Sequence, residues 1–156
     1  MKEKGQDFPT RDTSLIGAAG VHFVVSELSL RGLIALPTIR NTAGVDVVVT
    51  NKVGTWQANL QVKSSRSRVG FWPIGKKYKD WVGNNNFYVF VRYNPSTRTL
   101  EGFLASSEEV ALSVVQSRKE EKQRGLKEWA PCFYSKADLG RLKGQWDEFG
   151  KEFANK

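Results

Sequence analysis

Cysteine and histidine are nearly missing from this chain, with one of each, Cys132 and His22, among 156 residues. A single cysteine excludes an intramolecular disulfide and any cysteine-based zinc cluster, and a single histidine excludes a histidine-rich metal site. With no Cys–His signature around it, Cys132 reads as a partly buried structural thiol. Long apolar runs are lacking as well. The most apolar stretch, residues 15–25, is preceded by Lys2, Glu3, Lys4, Asp7, Arg11 and Asp12, is interrupted by His22 and is followed by Ser26-Glu27-Leu28-Ser29. Mixed charge before it and a poor cleavage site after it make this a buried helix rather than a signal-peptide core. No uncharged apolar run of about 18 residues occurs, so no membrane span is expected and the cytoplasm is the default location. Internal repeats, low-complexity tracts and a glycine-rich phosphate loop are also absent, which excludes solenoids and P-loop enzymes.

Acidic residues are outnumbered, 16 against 24 Lys and Arg, giving a formal net charge of +8. A polyanion is therefore the first partner to consider, DNA before RNA, because excess cation steers association with phosphate backbones. An apolar fraction of 40% and 12% aromatic residues argue against disorder, and the length suits one domain with a real core. Residues 13–156 are read as that domain. Residues 1–12, polar and of mixed charge, are read as a flexible N-terminal arm that an oligomer partner would order.

Along the chain, Thr13 or Ser14 has the chemistry to cap a helix carrying Ile16, Ala19, Gly20, Phe23, Val24 and Leu28 at helical spacing, with Arg31 and Gly32 as its stop. Gly17 and Gly20 weaken helix propensity and imply close approach to another backbone. Leu33 to Leu36 reads as a first strand, ended by Pro37. Gly44 turns the chain into a second strand headed by Asp46, Lys52-Val53-Gly54 is a hairpin tip, and Trp56 to Lys63 returns as a third strand. Phe87 to Val91 and Thr99 to Ala105 are further strands, and Ser106 or Ser107 caps a helix opening on Glu108 and Glu109. From Ala137 onward, Leu139, Leu142, Trp146, Phe149 and Phe153 mark an amphipathic helix that either caps the sheet or builds a dimer interface.

The second and third strands carry the chemistry. Side chains alternate across a strand, so Gln61 and Lys63 project from one face and Leu60 and Val62 from the other, next to the Asp46 carboxylate. A carboxylate, a side-chain amide oxygen and a main-chain carbonyl can bind a hard cation, and an ammonium can stabilise charge developing on phosphorus. The same residues are equally compatible with an aspartate that only starts a strand and a lysine that is only solvated.

Gly17-x-x-Gly20-x-x-x-Val24-x-x-Glu27-Leu28-x-x-Arg31-Gly32, then Pro37, Asn41, Gly44-x-Asp46 and Gln61-x-Lys63-Ser64-Ser65, together resemble the core of the PD-(D/E)XK nuclease superfamily. The likeness is to branches with Gln in place of the second acid, such as Mrr-like restriction enzymes and intron-encoded homing endonucleases. It covers residues 13–65 well and 86–115 loosely. It implies an α/β, restriction-endonuclease-like fold with a central mixed sheet of about five strands flanked by helices in an α-β-β-β-α-β order. It also implies a Mg²⁺- or Mn²⁺-dependent DNA endonuclease, in which Asp46, the Gln61 amide oxygen and the Val62 main-chain carbonyl hold the metal. Lys63 would orient the attacking water and stabilise the transition state. One departure stands out. The position after the second glycine is commonly a glutamate in such nucleases, and here it is Val21. Glu27 could substitute, but it lies more than a quarter-turn round the helix and suits a surface pair with Arg31. His22 is turned off Val21's face by the same geometry and is expected to be a packing residue before a catalytic one.

After Ser65, Arg66, Arg68, Lys76, Lys77 and Lys79 are interleaved with Phe71, Trp72, Tyr78 and Trp81 in a long loop or ragged hairpin. These cations could track phosphates while the aromatics stack on bases, or the loop could be pinned by its aromatics with ordinary solvated lysines. The charged tail from Arg118 to Lys127 reads as a solvated helix face. Three classes of function remain open: a metal-dependent nuclease, a catalytically inactive nucleic-acid-binding module on the same fold, and an oligomeric structural or interaction protein. A homodimer or larger homo-oligomer is expected in each.

Overall fold

A computed structural model of the chain describes residues 12–39, 44–66, 70–127, 130–134 and 139–154. Residues 1–11 of the N-terminal arm, Asn41 and Arg68 lie outside the described residues, while Asp12 belongs to α1 as its cap. The chain forms α1 (Thr13–Leu30), β1 (Ile34–Pro37), β2 (Val47–Thr50), β3 (Gln57–Arg66), β4 (Phe71–Pro73), β5 (Asn86–Asn94), β6 (Thr99–Ser106), α2 (Ser107–Gln123), β7 (Cys132–Tyr134), α3 (Leu139–Glu148) and α4 (Lys151–Ala154).

The architecture is α/β. A mixed five-stranded sheet of order β1-β2-β3-β5-β6 has helices on both sides, and β4 and β7 form a separate two-stranded ribbon. Neighbours in the main sheet run antiparallel except β3 and β5, which pair in parallel from Asn59↔Asn86 to Arg66↔Tyr93. A parallel pair needs a crossover connection. Among the described residues of this connection, 70–85, are β4 and a series of turns, with no helix.

α1 is apolar on all sides, and by length and mean hydropathy alone, 1.4 over 18 residues, it could cross a membrane. In the fold it lies on the sheet. Ile16, Gly20, Val24 and Leu28, four residues apart, form its buried stripe. Its N-cap is Asp12, not Thr13 or Ser14: the Asp12 carboxylate accepts the Ser14 N–H at 2.8 Å, satisfying a donor of the first turn. Gly32, at φ 82°, ends the helix in the left-handed region as expected of its position. Gly20 meets the Ser64 side chain of β3 with no room for a Cβ, so that glycine is closely packed, against side chains and not against the backbone expected from sequence. Gly17 differs: a Cβ there would meet nothing within 4 Å, and the residue borders an open cavity instead.

The sheet divides two cores. On the α1 side Val47, Val49, Ala58, Leu60, Val89, Val91 and Leu104 pack with Val24, Leu28, Trp146 and Phe149. On the other, Tyr88, Phe90, Phe103 and Ala105 pack with Trp72, Ile74, Tyr78, Val110, Val114 and Phe133. The closing amphipathic segment caps the sheet. It breaks at Gly150, at φ 79°, so that Trp146 lies against Gly102 of the edge strand β6, and Phe153 stacks on Trp56 at 4.2 Å. A Cβ at residue 102 would come to 2.6 Å from the Trp146 indole nitrogen, which is why this strand position is a glycine.

Candidate functional site

Asp46 sits where β2 bends away from its neighbours. In a regular antiparallel strand the N–H and C=O of one residue point to the same neighbour. Asp46 instead donates its N–H to Leu60 O of β3 at 2.9 Å and accepts the Thr38 N–H with its own C=O at 3.0 Å. Thr38 also donates its hydroxyl to Val45 O, tightening the bend. The side chain is thereby turned along the sheet edge, and Oδ2 accepts the Val62 N–H at 2.7 Å. Asp46 thus holds the β3 backbone on both sides of Gln61. Because the N–H and C=O of a strand residue share an edge, the Val62 carbonyl points toward the same place as the carboxylate.

Lys63 is half-buried on the next position of the same face as Gln61. Burial pushes its pKa below the ordinary lysine value, and the Asp46 charge pulls it partly back.

Two cavities flank this edge. The first, of about 540 Å³, opens on the α1 side and is lined by Asp46, Val62, Val21, His22 and Thr38 among others. The second, of about 500 Å³, opens on the opposite face and is lined by Gln61, Tyr88, Trp81, Lys76 and Lys77 among others. Asp46 and Val62 are brought together. Lys63 stands in the field of Asp46, and Gln61 belongs to the second cavity with Tyr88, its register partner on β5. Among the described residues no group of three or more His, Cys, Asp or Glu side chains converges on one point.

The helix candidates separate clearly. Val21 faces the first cavity beside Asp46, so the position that is commonly a glutamate in the resembled nucleases is apolar at the site itself. Glu27 is held by Arg31 at 3.1 Å and does not line the cavity, as its spacing suggested. His22 was expected to pack; it is exposed and lines the same cavity as Asp46. The ridge of a helix presents more than one residue to a groove wider than a single side chain, which the one-position angular argument ignored.

The basic segment is partly a wall and partly a surface. Trp72 and Tyr78 are buried in the second core, so they pin the segment and are no platforms for bases. Lys76 and Lys77 are exposed at the rim of the second cavity, and Arg66 ends β3. Lys79 faces Arg118, Lys119 and Lys122 of α2 across a third depression, so the tail of α2 extends the basic surface. Cys132 is partly buried, its thiol donating to Ala130 O at 3.3 Å, with burial and the Glu121 charge both pushing its pKa up.

Tyr88 was missed as a site residue, and Trp81 was read only as one aromatic of the basic segment. Tyr88 stands in an apolar run and reads as core, and only its register opposite Gln61 places it at a cavity. No family model, curated protein or solved structure matches the chain. What fold and site define together is an α/β protein with a mixed five-stranded sheet, whose Asp46 carboxylate lines one cavity while Gln61 lines another and Lys63 shares the strand face of Gln61.

Proposed function

We propose that the chain is a metal-dependent endonuclease acting on DNA, with RNA as the second polyanion to test. The observation that carries this reading is the Asp46 carboxylate bound to the Val62 N–H at 2.7 Å at the uncovered edge of β3, with Lys63 in its field. The donor set fits a Mg²⁺ or Mn²⁺ ion of the kind held by one carboxylate and completed by water and substrate phosphate. Asp46 would supply Oδ1, which has no hydrogen-bond partner among the described residues, and Val62 its main-chain carbonyl; Gln61 is the weaker candidate because it faces the second cavity. Such an ion, when bound, polarises the phosphate and activates water.

The chain's own groups do the rest. Lys63 would orient the attacking water and offer positive charge to a developing phosphorane. His22, exposed on the same cavity, is placed to exchange a proton with the leaving or attacking oxygen. Arg66, Lys76 and Lys77 would make phosphate contacts near the edge, and Lys79 would do so beside the α2 tail. The exposed Leu30, Ile34, Leu36 and Ile39 beside edge strand β1 support a homodimer, since a second copy would cover both the apolar surface and the open strand edge.

The test is nicking of plasmid and branched DNA with Mg²⁺ or Mn²⁺. Asp46→Ala and Lys63→Ala should each abolish it in protein that remains folded; cleavage that survives both would come from elsewhere. A second reading, a nuclease-fold module that binds nucleic acid without cutting, is favoured by Val21 in the cavity, which leaves Asp46 as its one carboxylate among the lining residues. It expects salt-dependent retardation of DNA with no metal requirement and no cleavage.

A further inference from the structure

The second cavity holds groups that the nuclease reading leaves unused. Tyr88 is 1% exposed, and its hydroxyl has no hydrogen-bond partner among the described residues; the Trp81 indole N–H is likewise buried and has none among them. Buried donors without acceptors are uncommon, because each forfeits its hydration without return. Here two line one cavity, and beside them is the Gln61 amide, which bonds to no described residue. Trp81 is fixed edge-on to Tyr88, ring centroids 6.4 Å apart, so both donors are held in place. Burial pushes the Tyr88 pKa up to about 12, so the hydroxyl stays a donor throughout the neutral range. Lys76 and Lys77 stand at the rim, and Asp80 adds a carboxylate to the lining.

The occupant must bring acceptors for two fixed donors, an edge that both gives and accepts hydrogen bonds for the Gln61 amide, and negative charge for the two lysines. A nucleobase with its phosphate answers all of these, and a space of about 500 Å³ is of the size that takes one. We propose that this cavity binds a single unstacked nucleotide, the base hydrogen-bonded by Tyr88, Trp81 and Gln61 and the phosphate held by Lys76 and Lys77. Its ligand class rests on the nucleic-acid reading above, but not on cleavage. Gln61 then reads a base beside the reacting edge, and the site selects what is cut or bound by which base it admits.

The experiment follows the Trp81 indole N–H resonance during titration with AMP, GMP, CMP and UMP, with inorganic phosphate as a separate arm. At least one nucleotide should shift that resonance saturably, and more tightly than phosphate. Tyr88→Phe, which removes one hydroxyl and keeps the ring, should weaken that nucleotide about tenfold, the loss of one hydrogen bond to a buried group. The exposed pair Lys76→Ala with Lys77→Ala should weaken it at least as much and gives the same test should Tyr88→Phe not fold. Asp46→Ala, which does not line this cavity, should bind the nucleotide within twofold of the unaltered chain even if all cleavage is lost. The proposal is overturned if no nucleotide moves the resonance, if phosphate alone reproduces the full effect, or if the folded variants bind as the unaltered protein does. Absence of DNA cleavage with nucleotide binding intact would remove the endonuclease reading and leave this one standing.

Discussion

The carboxylate of Asp46 and the main-chain N–H of Val62 are joined at 2.7 Å where β2 stops covering β3. One side-chain oxygen replaces the strand that would otherwise have paired there. Asp46→Asn keeps an acceptor in place and should hold stability within about 1 kcal/mol, whereas Asp46→Ala strands the amide and should cost about 1–3 kcal/mol. Urea denaturation of the two variants checks the difference, and both should be equally inactive if the charge serves a metal.

Lys63 binds its proton less tightly in the folded chain than in the unfolded one, where the ordinary value is 10.5. In the pH window below that value the unfolded chain holds more protons, so this residue makes stability rise with pH. Lys63→Met should remove that slope and raise stability at neutral pH while eliminating any cleavage. A variant less stable than the unaltered protein at neutral pH would contradict the desolvation of the ammonium.

Tyr88 has the opposite sign. Its proton is held more tightly when folded, about 12 against 10.0, so the stability it contributes is whole below pH 10.0 and is lost as pH rises toward 12. Denaturation midpoints across that window should fall less steeply in Tyr88→Phe. The phenolate absorbance of the folded protein should lose one late-titrating tyrosine in the same variant.

Gly17 and Gly20 sit one turn apart on α1 and should respond in opposite ways to alanine. Gly20→Ala drives a methyl into Ser64 and should destabilise by about 1–3 kcal/mol. Gly17→Ala enters open space and should be neutral or stabilising by up to about 1 kcal/mol through helix propensity. Thermal melts of both read the contrast directly.

Much of the fold could be read before any coordinates. Apolar, β-branched and aromatic runs between turn residues located β2, β3, β5 and β6, and the spacing of Leu139, Leu142, Trp146 and Phe149 marked the closing helix that caps the sheet. The site was harder for a physical reason. Asp46 and Gln61 were expected side by side, and they are adjacent along the edge, yet the bend at Asp46 turns its carboxylate toward the first cavity while Gln61 faces the second. Side-chain alternation holds within a regular strand and carries no information about a residue whose N–H and C=O serve different neighbours. The same limit applies to His22 and Tyr88, whose surroundings come from other elements. Stacking and anchoring both stayed open for Trp72 and Tyr78 because composition cannot tell an aromatic that anchors a segment from one that meets a partner.

The described part of the crossover between β3 and β5, residues 70–85, holds β4 and a series of turns, and those turns are also the wall of the second cavity. Parallel strands can register only after the chain between them has closed its loop, which makes this junction a slow, long-range event during folding. Wall and central sheet are therefore acquired together, and shortening residues 70–85 would unseat the β3–β5 junction along with the cavity. This segment is a poor place for insertions or a permuted terminus, although it lies at the surface and is rich in glycine and lysine.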